Sequence, residues 1–337
     1  MTTFHLRNMR PEDREEVARL IYHSTNRYYQ SIGRDKIFKG DELSAAVFFD
    51  VYERLDPGQG IVAVDNESGQ IVGSCFVHPR ETHVSLGIMN AHPDYFGRGV
   101  ARAILNRIIE LAKAQPTGFS LSGISSPYAE LVKHLCPELV EAQHKPVRLV
   151  SSCFNLDSYS LYTRAGFVPF CTFQDMYLSV PQGGLTVEPP PGVSVREGVE
   201  EDVKKMQELE LAVSGISRVN DYQYFLKNED GLWHVSVIDS PDGGLDGFLV
   251  SCRAEACNML GPGVARTEQQ AAALIHAELN QHPGRSPVFL VPVTCKQLVQ
   301  QLYAWGAKNC ELHVAQVYGY ALKIRGVVMP TFLPESG

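Results

Sequence analysis

Apolar residues along this chain follow two alternating periods, and the changes of period mark out its elements. Leu6-Arg7-Asn8 reads as a short strand that runs into Pro11-Glu12-Asp13, and the spacing of Val17 and Leu20 predicts a helix over 12–22. Acidic residues at that start are favoured by the partial positive charge of a helix N-terminus. Residues 40–54 predict a second helix, 61–64 a short strand, and Asn66-Glu67-Ser68-Gly69 a turn. The runs 70–77 and 84–91 predict two apolar strands of an antiparallel meander. From Gly99 the period becomes helical, with Ala101, Ile104, Leu105, Ile108, Ile109 and Ala112 on one face. A strand at 147–153, a helix at 157–165 and two closing strands up to Val180 complete the order β-α-α-β-β-β-α-β-α-β-β. Residues 117–145 stand as an extra segment, too long for an ordinary loop.

Val180-Pro181-Gln182-Gly183-Gly184 and Pro189-Pro190-Pro191-Gly192 cannot continue a helix or a central strand, so they read as a linker. The sequence on either side rhymes. Leu6-Arg7 leading to Glu12-Asp13 compares with Val195-Arg196 leading to Glu201-Asp202. Later, Leu161-Tyr162-Thr163-Arg164-Ala165-Gly166-Phe167 compares with Leu302-Tyr303-Ala304-Trp305-Gly306-Ala307, each a helix end closed by glycine. For a chain of 337 residues this predicts a duplicated domain: 1–180, a linker at 181–193, and 194–337.

A formal charge of −8 and a pI near 5.8 argue against nucleic acid or an anionic membrane as the main partner. The start of the chain lacks a signal-peptide pattern, and no apolar run reaches the ~18 residues of a membrane span. The eight cysteines contain no CxxC and no zinc-ligand spacing. The expectation is a reduced, cytoplasmic protein without a metal.

The chemistry concentrates in Met89-Asn90-Ala91-His92-Pro93-Asp94-Tyr95-Phe96-Gly97-Arg98-Gly99-Val100-Ala101-Arg102. A strand ends, two close glycines follow, and a long helix begins. Glycines let backbone N–H groups converge, and the helix start adds partial positive charge, which together suit a pyrophosphate. This stretch resembles the pyrophosphate loop of the GNAT acetyltransferase superfamily, Arg/Gln-x-x-Gly-x-Gly/Ala after a strand ending in Val-x-Pro. Ala91-His92-Pro93 stands for Val-x-Pro, Gly97-Arg98-Gly99-Val100-Ala101 fits the loop, and Phe96 occupies the usual Arg/Gln place. A second block, Asn155-Leu156-Asp157-Ser158-Tyr159-Ser160-Leu161-Tyr162-Thr163-Arg164-Ala165-Gly166-Phe167, is similar to that family's Asn-x-x-(Ala/Ser)-x-x-Leu-Tyr-x-x-x-Gly-Phe.

The resemblance implies two tandem GNAT folds of the α/β (α+β) class, each a mixed, mostly antiparallel sheet flanked by helices. It implies acetyl-CoA as co-substrate, with the pantetheine on the backbone of Met89 and Ala91 and the phosphates on the amides of Phe96 to Ala101. Arg98, Arg102, Asn155 and Ser158 would stand beside it. Acyl transfer from a thioester expels a thiolate, and a tyrosine hydroxyl (pKa about 10) can protonate it. Tyr162 is the candidate acid and Tyr159 the alternative. Glu81, His83 and His92 are candidate bases, with Glu81 and His83 on one strand face. A backbone N–H near Met89 to Ala91 would hold the oxyanion.

In the second half, Gly261-Pro262-Gly263-Val264-Ala265 stands where a phosphate loop is expected, but Pro262 removes an N–H. That half reads as a degenerate GNAT-like domain, and Tyr303 as structural. The tail, residues 329–337, is expected to pack against a domain, or to deliver Glu335 or the terminal carboxylate to the active site. The function implied is N-acyl transfer to a primary amine of a small molecule or peptide, with homodimerisation left open. The alternative is an acyl-CoA-binding sensor without turnover.

Overall fold

The structure, a computed structural model, describes residues 3–115, 124, 129–130, 133–134 and 142–334. Most of the extra segment 117–145 lies outside the described residues, as do Glu335 and the C-terminus. In the first half the elements are β1 (Phe4–Asn8), α1 (Arg14–Ser31), α2 (Ala46–Leu55), β2 (Ile61–Asp65), β3 (Ile71–Pro79), β4 (Val84–Ala91), α3 (Val100–Lys113), β5 (Val147–Ser152), α4 (Leu156–Arg164) and β6 (Val168–Tyr177). The second half repeats the order: β7 (Arg196–Glu197), α5 (Val203–Ser214), α6 (Val219–Lys227), β8 (Trp233–Asp239), β9 (Leu245–Arg253), β10 (Asn258–Ala265), α7 (Glu268–Leu279), β11 (Val288–Pro292), α8 (Lys296–Ala304) and β12 (Lys308–Tyr318). A short β13 (Val327–Met329) follows.

The first sequence echo has a physical cause. Arg7 donates to both carboxylate oxygens of Asp13 at 2.6 and 2.8 Å, and Asp13 also accepts the Arg10 N–H. Arg196 grips Asp202 in the same way at 2.7 and 2.9 Å, and Asp202 accepts the Val199 N–H. Each pair ties the first strand of its half to the first helix, and a bidentate guanidinium–carboxylate pair is among the stronger surface contacts.

The thirteen strands of the described residues form one sheet in the order β1-β2-β3-β4-β5-β12-β6-β11-β10-β9-β8-β7, with β13 on β10. The last strands of the two halves are exchanged. β12 pairs with β5 of the first half, while β6 lies between β12 and β11 of the second. One strand, not the two expected, follows α4, because the place of a second is taken by β12 from the other half. Three apolar clusters fill the spaces between sheet and helices; one, with Ile104, Leu105 and Ile108 of α3 against Val72, Val84 and Leu149, lies under the candidate loop.

Helix α1 runs nine residues past the predicted end at 22. Its continuation carries polar residues that are buried because each has polar partners: Ser24 Oγ lies 2.6 Å from both Leu20 O and the Asn90 side-chain amide, and Asn26 bonds the Phe38 backbone N–H and C=O. Apolar periodicity alone cannot see such positions.

Candidate active site

The site begins where two parallel strands part. β4 and β5 pair only at Val84↔Val147 and Ser85↔Arg148, after which they diverge. On its other side β4 keeps its antiparallel ladder with β3, except for a bulge at Gly87-Ile88 opposite Phe76, and such a bulge bends and re-aims a strand. The His92 N–H donates to Val72 O at 2.9 Å, and Asn90 stands opposite Ser74. Backbone polar groups alternate along a strand, so those of Met89 and Ala91 face away from β3, into the gap. Ile88, Met89 and Ala91 are half-buried, whereas residues 82–87 are buried. Among the described residues the gap is therefore an open strand edge.

At its end lies the loop 92–99. Pro93–Tyr95 form a 3-10 turn, with His92 Nδ1 accepting the Asp94 N–H. The Phe96 N–H donates to Pro93 O and the Arg98 N–H to Tyr95 O, so these two amides, expected on the phosphates, are used within the turn. Gly97 and Gly99 have φ of +75° and +86°, a region that suits glycine. The Ala103 N–H donates to Gly99 O. The amides of Gly99, Val100, Ala101 and Arg102 precede it and point out of the helix start. The loop is pinned by the Tyr95 hydroxyl on Asp65 Oδ2 at 2.9 Å, and the Arg98 guanidinium lies 4.7 Å from the Tyr95 ring centre. Backbone amides and Tyr95 hold the Asp65 carboxyl down to about 2. A hollow of about 440 Å³ beside the helix start is lined by Thr3, Phe4, Arg98, Gly99, Arg102, Ala103 and Asn106. Phe96 is 63% exposed.

Helix α4 flanks the same side of the sheet. Asn155 is its N-cap, with Oδ1 accepting the Ser158 N–H at 3.0 Å, so both residues have a structural task. Tyr162 is buried in the α3-side cluster and packs on Phe167, 5.7 Å between ring centres. Tyr159 is half-buried one turn earlier.

The candidate bases are placed elsewhere. Glu81 and His83 precede β4, at the opposite end from the loop, in the seam between the halves. Glu81 accepts the Val219 N–H at the start of α6, and Thr82 Oγ1 accepts the Ser217 N–H. His83 is fully buried against Thr82. Its pKa is pushed well below the usual value by burial first, then by Arg148, Arg218, Arg80 and Lys145. A buried imidazole ringed by cations holds a proton poorly, and Glu81 and His83, expected as a base, stand in the seam away from the loop. His92 belongs to the loop.

The second half repeats the parting of strands and then closes it. β10 and β11 pair only at Met259↔Val288 and Leu260↔Phe289. Beyond that point β13 fills the gap, with Gly263↔Met329, Val264↔Val328 and Ala265↔Val327. Gly261-Pro262-Gly263 is not a loop but lies within β10, at a bulge opposite Val250. Gly261 has φ +132°, and a Cβ there would stand 2.8 Å from Pro330 O, so this glycine admits the tail. Strand and helix are joined by Arg266 and Thr267 alone. The closing bond of α8, Ala307 N–H to Leu302 O, matches Phe167 N–H to Tyr162 O. Leu302, not Tyr303, therefore stands in the place of Tyr162, and the sequence echo is one residue out of step.

A polar cluster that sequence reasoning missed lies on the α1 side. Glu311 of β12 receives Tyr29 OH at 3.0 Å, Arg34 at 3.3 Å, and Ser152 of β5. No local motif marks Glu311, because only the strand exchange brings it to β5.

Two family profiles, each described as an acetyltransferase (GNAT) domain, match residues 3–168 and 206–325. No curated protein matches the chain. Among solved structures, one described as an acetyltransferase from Pyrococcus horikoshii is similar at 16% identity and TM-score 0.67, over 97% of this chain and 94% of that one. A GCN5-related N-acetyltransferase from Sphaerobacter thermophilus is similar at 17% identity and TM-score 0.62, over 97% and 99%. A tandem GNAT protein from the clavulanic acid biosynthesis pathway is similar at 13% identity and TM-score 0.55, over 94% and 99%.

Proposed function

This chain belongs to the GNAT acetyltransferase superfamily as a tandem of two GNAT domains, and from that premise we propose that its first half binds acetyl-CoA and passes the acyl group directly to a primary amine. The observation that carries the reading is the gap beside β4, open among the described residues, which ends at the first amides of α3. The pantetheine arm would add as a strand on Met89 and Ala91. Its pyrophosphate would lie on the amides of Gly99, Val100, Ala101 and Arg102, and the hollow lined by Arg98 and Arg102 would take the rest of the nucleotide. This places the thioester near the point where β4 and β5 part.

The amine attacks the thioester carbon, the C–S bond breaks, and the thiolate takes a proton from Tyr162. A backbone N–H on the open edge of β4 stabilises the oxyanion. With Glu81 and His83 held in the seam, the proton of the amine passes to water. No metal takes part, and the second half serves as a degenerate domain that walls the acceptor side and supplies Glu311 there. No helix of the described residues is long and apolar enough to cross a membrane.

Titration calorimetry with acetyl-CoA tests this reading. One equivalent should bind, and Gly99→Glu, which sets a carboxylate among the phosphate-binding amides, should abolish binding. Two equivalents would mean that the second gap opens. Binding without thiol release across an amine library would favour the sensor over the enzyme.

A further inference from the structure

Helix α1 spans the gap between β4 and β5 on the face away from α3, tied to both strands by polar side chains. Ser24 lies 2.6 Å from the Asn90 side-chain amide on β4, and one turn later the Tyr28 hydroxyl lies 3.3 Å from Ser152 Oγ on β5. Leu149 packs in the α3-side cluster and Val150 in the cluster of α1 and α2, so strand alternation sets Ser152 on the α1 face as well. Ser152 is four residues beyond Arg148, as Met89 is four beyond Ser85, which places it across the gap from the proposed pantetheine edge. On its other side β5 pairs with β12, and that strand brings in Glu311 of the second half.

The direction of each bond follows from the protons available. Ser152 has one, and it goes to Glu311 Oε1, which as a carboxylate oxygen can only accept. Ser152 Oγ also accepts the Phe154 N–H at 3.2 Å, so in the remaining bond Tyr28 is the donor. Tyr28 is half-buried, and burial raises its pKa, so the hydroxyl keeps its proton at neutral pH. Glu311 is buried, and its other oxygen accepts from Tyr29 at 3.0 Å and Arg34 at 3.3 Å. Asp175 of β6 is its partner across the β6–β12 ladder; it stands 2.8 Å from His313 and is pushed up by burial. Cys153 and Cys310 lie near the same carboxylates, and burial raises both thiols, which stay neutral. Two neighbouring buried carboxylates repel each other, and a proton delivered to the pair relieves that repulsion. A file of hydroxyls therefore runs from the gap to a place where a proton is welcome.

We propose that Tyr28, Ser152 and Glu311 form a wire that carries the proton of the attacking amine from the gap to the second half. The inference rests on the reading of the first half as an N-acyltransferase and deepens it. The water that takes a proton from the nitrogen gives one of its own to the Tyr28 oxygen. Tyr28 passes its hydroxyl proton to Ser152, and Ser152 passes its own to Glu311 Oε1. One proton leaves the nitrogen, one is gained by the carboxylate, and each hydroxyl is restored. The thiolate takes its proton from Tyr162 on the α3 face, so the two transfers run on opposite faces of the sheet. Neither half holds the whole wire, which gives the second half a part in the chemistry of the first.

The test uses the full chain, acetyl-CoA, and the amine turned over fastest in a library of polyamines, aminoglycosides, amino acids and lysine peptides. Glu311→Gln keeps the size of the side chain and an oxygen for Ser152 but takes no proton, and Ser152→Ala cuts the wire in the middle. Each should lower kcat about 100-fold, with the Kd of acetyl-CoA unchanged by calorimetry. The double variant should be no slower than the slower single variant, because links in series are lost only once. The loss should shrink from pH 7 to pH 9, as hydroxide in the gap replaces the missing acceptor. If Glu311→Gln does not fold, Ser152→Ala and Tyr28→Phe carry the same comparison. A kcat that stays within about threefold in these variants, additive losses, or a loss equal at pH 7 and pH 9 would overturn the wire alone. No turnover of any amine by the unaltered chain would overturn the acyltransfer reading and the wire together.

Discussion

The two halves part their parallel strands in the same way and finish the gap differently. In the first, β4 has, among the described residues, an open edge beyond Ser85 and an eight-residue connection, 92–99, to its helix. In the second, β13 pairs along the edge of β10, and two residues join strand to helix. An unpaired strand edge and a bare helix start are costs that a fold carries only where something else satisfies them. The second half satisfies them with its own tail and side chains. The first leaves them open among the described residues, and the proposed acetyl-CoA site rests on this difference.

Dislodging β13 should break the comparison most forcefully. A Cβ at Gly326 would lie 2.4 Å from Ala265 O, so Gly326→Ala must push the tail away from β10. The expected loss is about 3 kcal/mol, read as a fall in denaturant midpoint. Acetyl-CoA should still bind at one equivalent, because the start of α7 remains capped. A second equivalent would show that the tail alone closes the gap.

Tyr162→Phe sharpens the comparison at the level of chemistry. The hydroxyl lies at a position where the second half has buried Leu302. Turnover should fall about 100-fold, with the affinity for acetyl-CoA unchanged. An unchanged kcat at neutral pH would remove Tyr162 as the acid.

Much of the first half was legible because its elements are strongly periodic and its loop carries glycines. β4 was predicted at its observed bounds, and α3 to within a residue of its start. The second half misled for a definite reason. Gly97-Arg98-Gly99 and Gly261-Pro262-Gly263 share a pattern, yet one turns a loop into a helix and the other lets a tail approach a bulged strand. A one-dimensional motif does not distinguish a glycine needed for φ from one needed for close approach. Nor could sequence order place Glu311 beside Ser152, since exchange of β6 and β12 is a long-range event with no local pattern. Likewise the sequence could not show that Glu81 and His83 stand in a buried seam, since a hairpin end of one half is covered only by the other.

That seam should respond to acid. Burial brings His78 down to about 4, and it also lowers His83. Unfolded histidine takes a proton below about 6.5, while folded His78 refuses it until about 4. Stability is therefore lost as pH falls through that window. For His78 the loss is roughly 2 kcal/mol at pH 5 relative to pH 7. Asp221, raised by burial to about 6, acts in the opposite sense between its unfolded value and that pH, offsetting about 1 kcal/mol. Thermal unfolding from pH 7 to pH 5 should show a falling Tm, with a shallower slope in His78→Asn. A Tm that rises on acidification would mean that the carboxyls, not the histidines, govern the seam.

The smallest test concerns the helix starts. Thr267 Oγ1 accepts the Gln270 N–H at 3.2 Å, and the Gln270 side chain accepts the Thr267 N–H at 3.0 Å, so α7 satisfies its own first amides. Gly99 stands at the same place before α3 and has no side chain with which to do this. Thr267→Ala should cost about 1 kcal/mol, equally with and without acetyl-CoA, if the second half is the degenerate domain proposed above. The first half should behave in the opposite manner: its helix start lacks a cap to lose and gains protection from amide exchange only when acetyl-CoA is present. Hydrogen exchange at residues 99–102 and 267–270, with and without acetyl-CoA, reads both at once. Ligand protection at 267–270 comparable to that at 99–102 would show that the two helix starts do the same work, and that the cap at Thr267 is incidental.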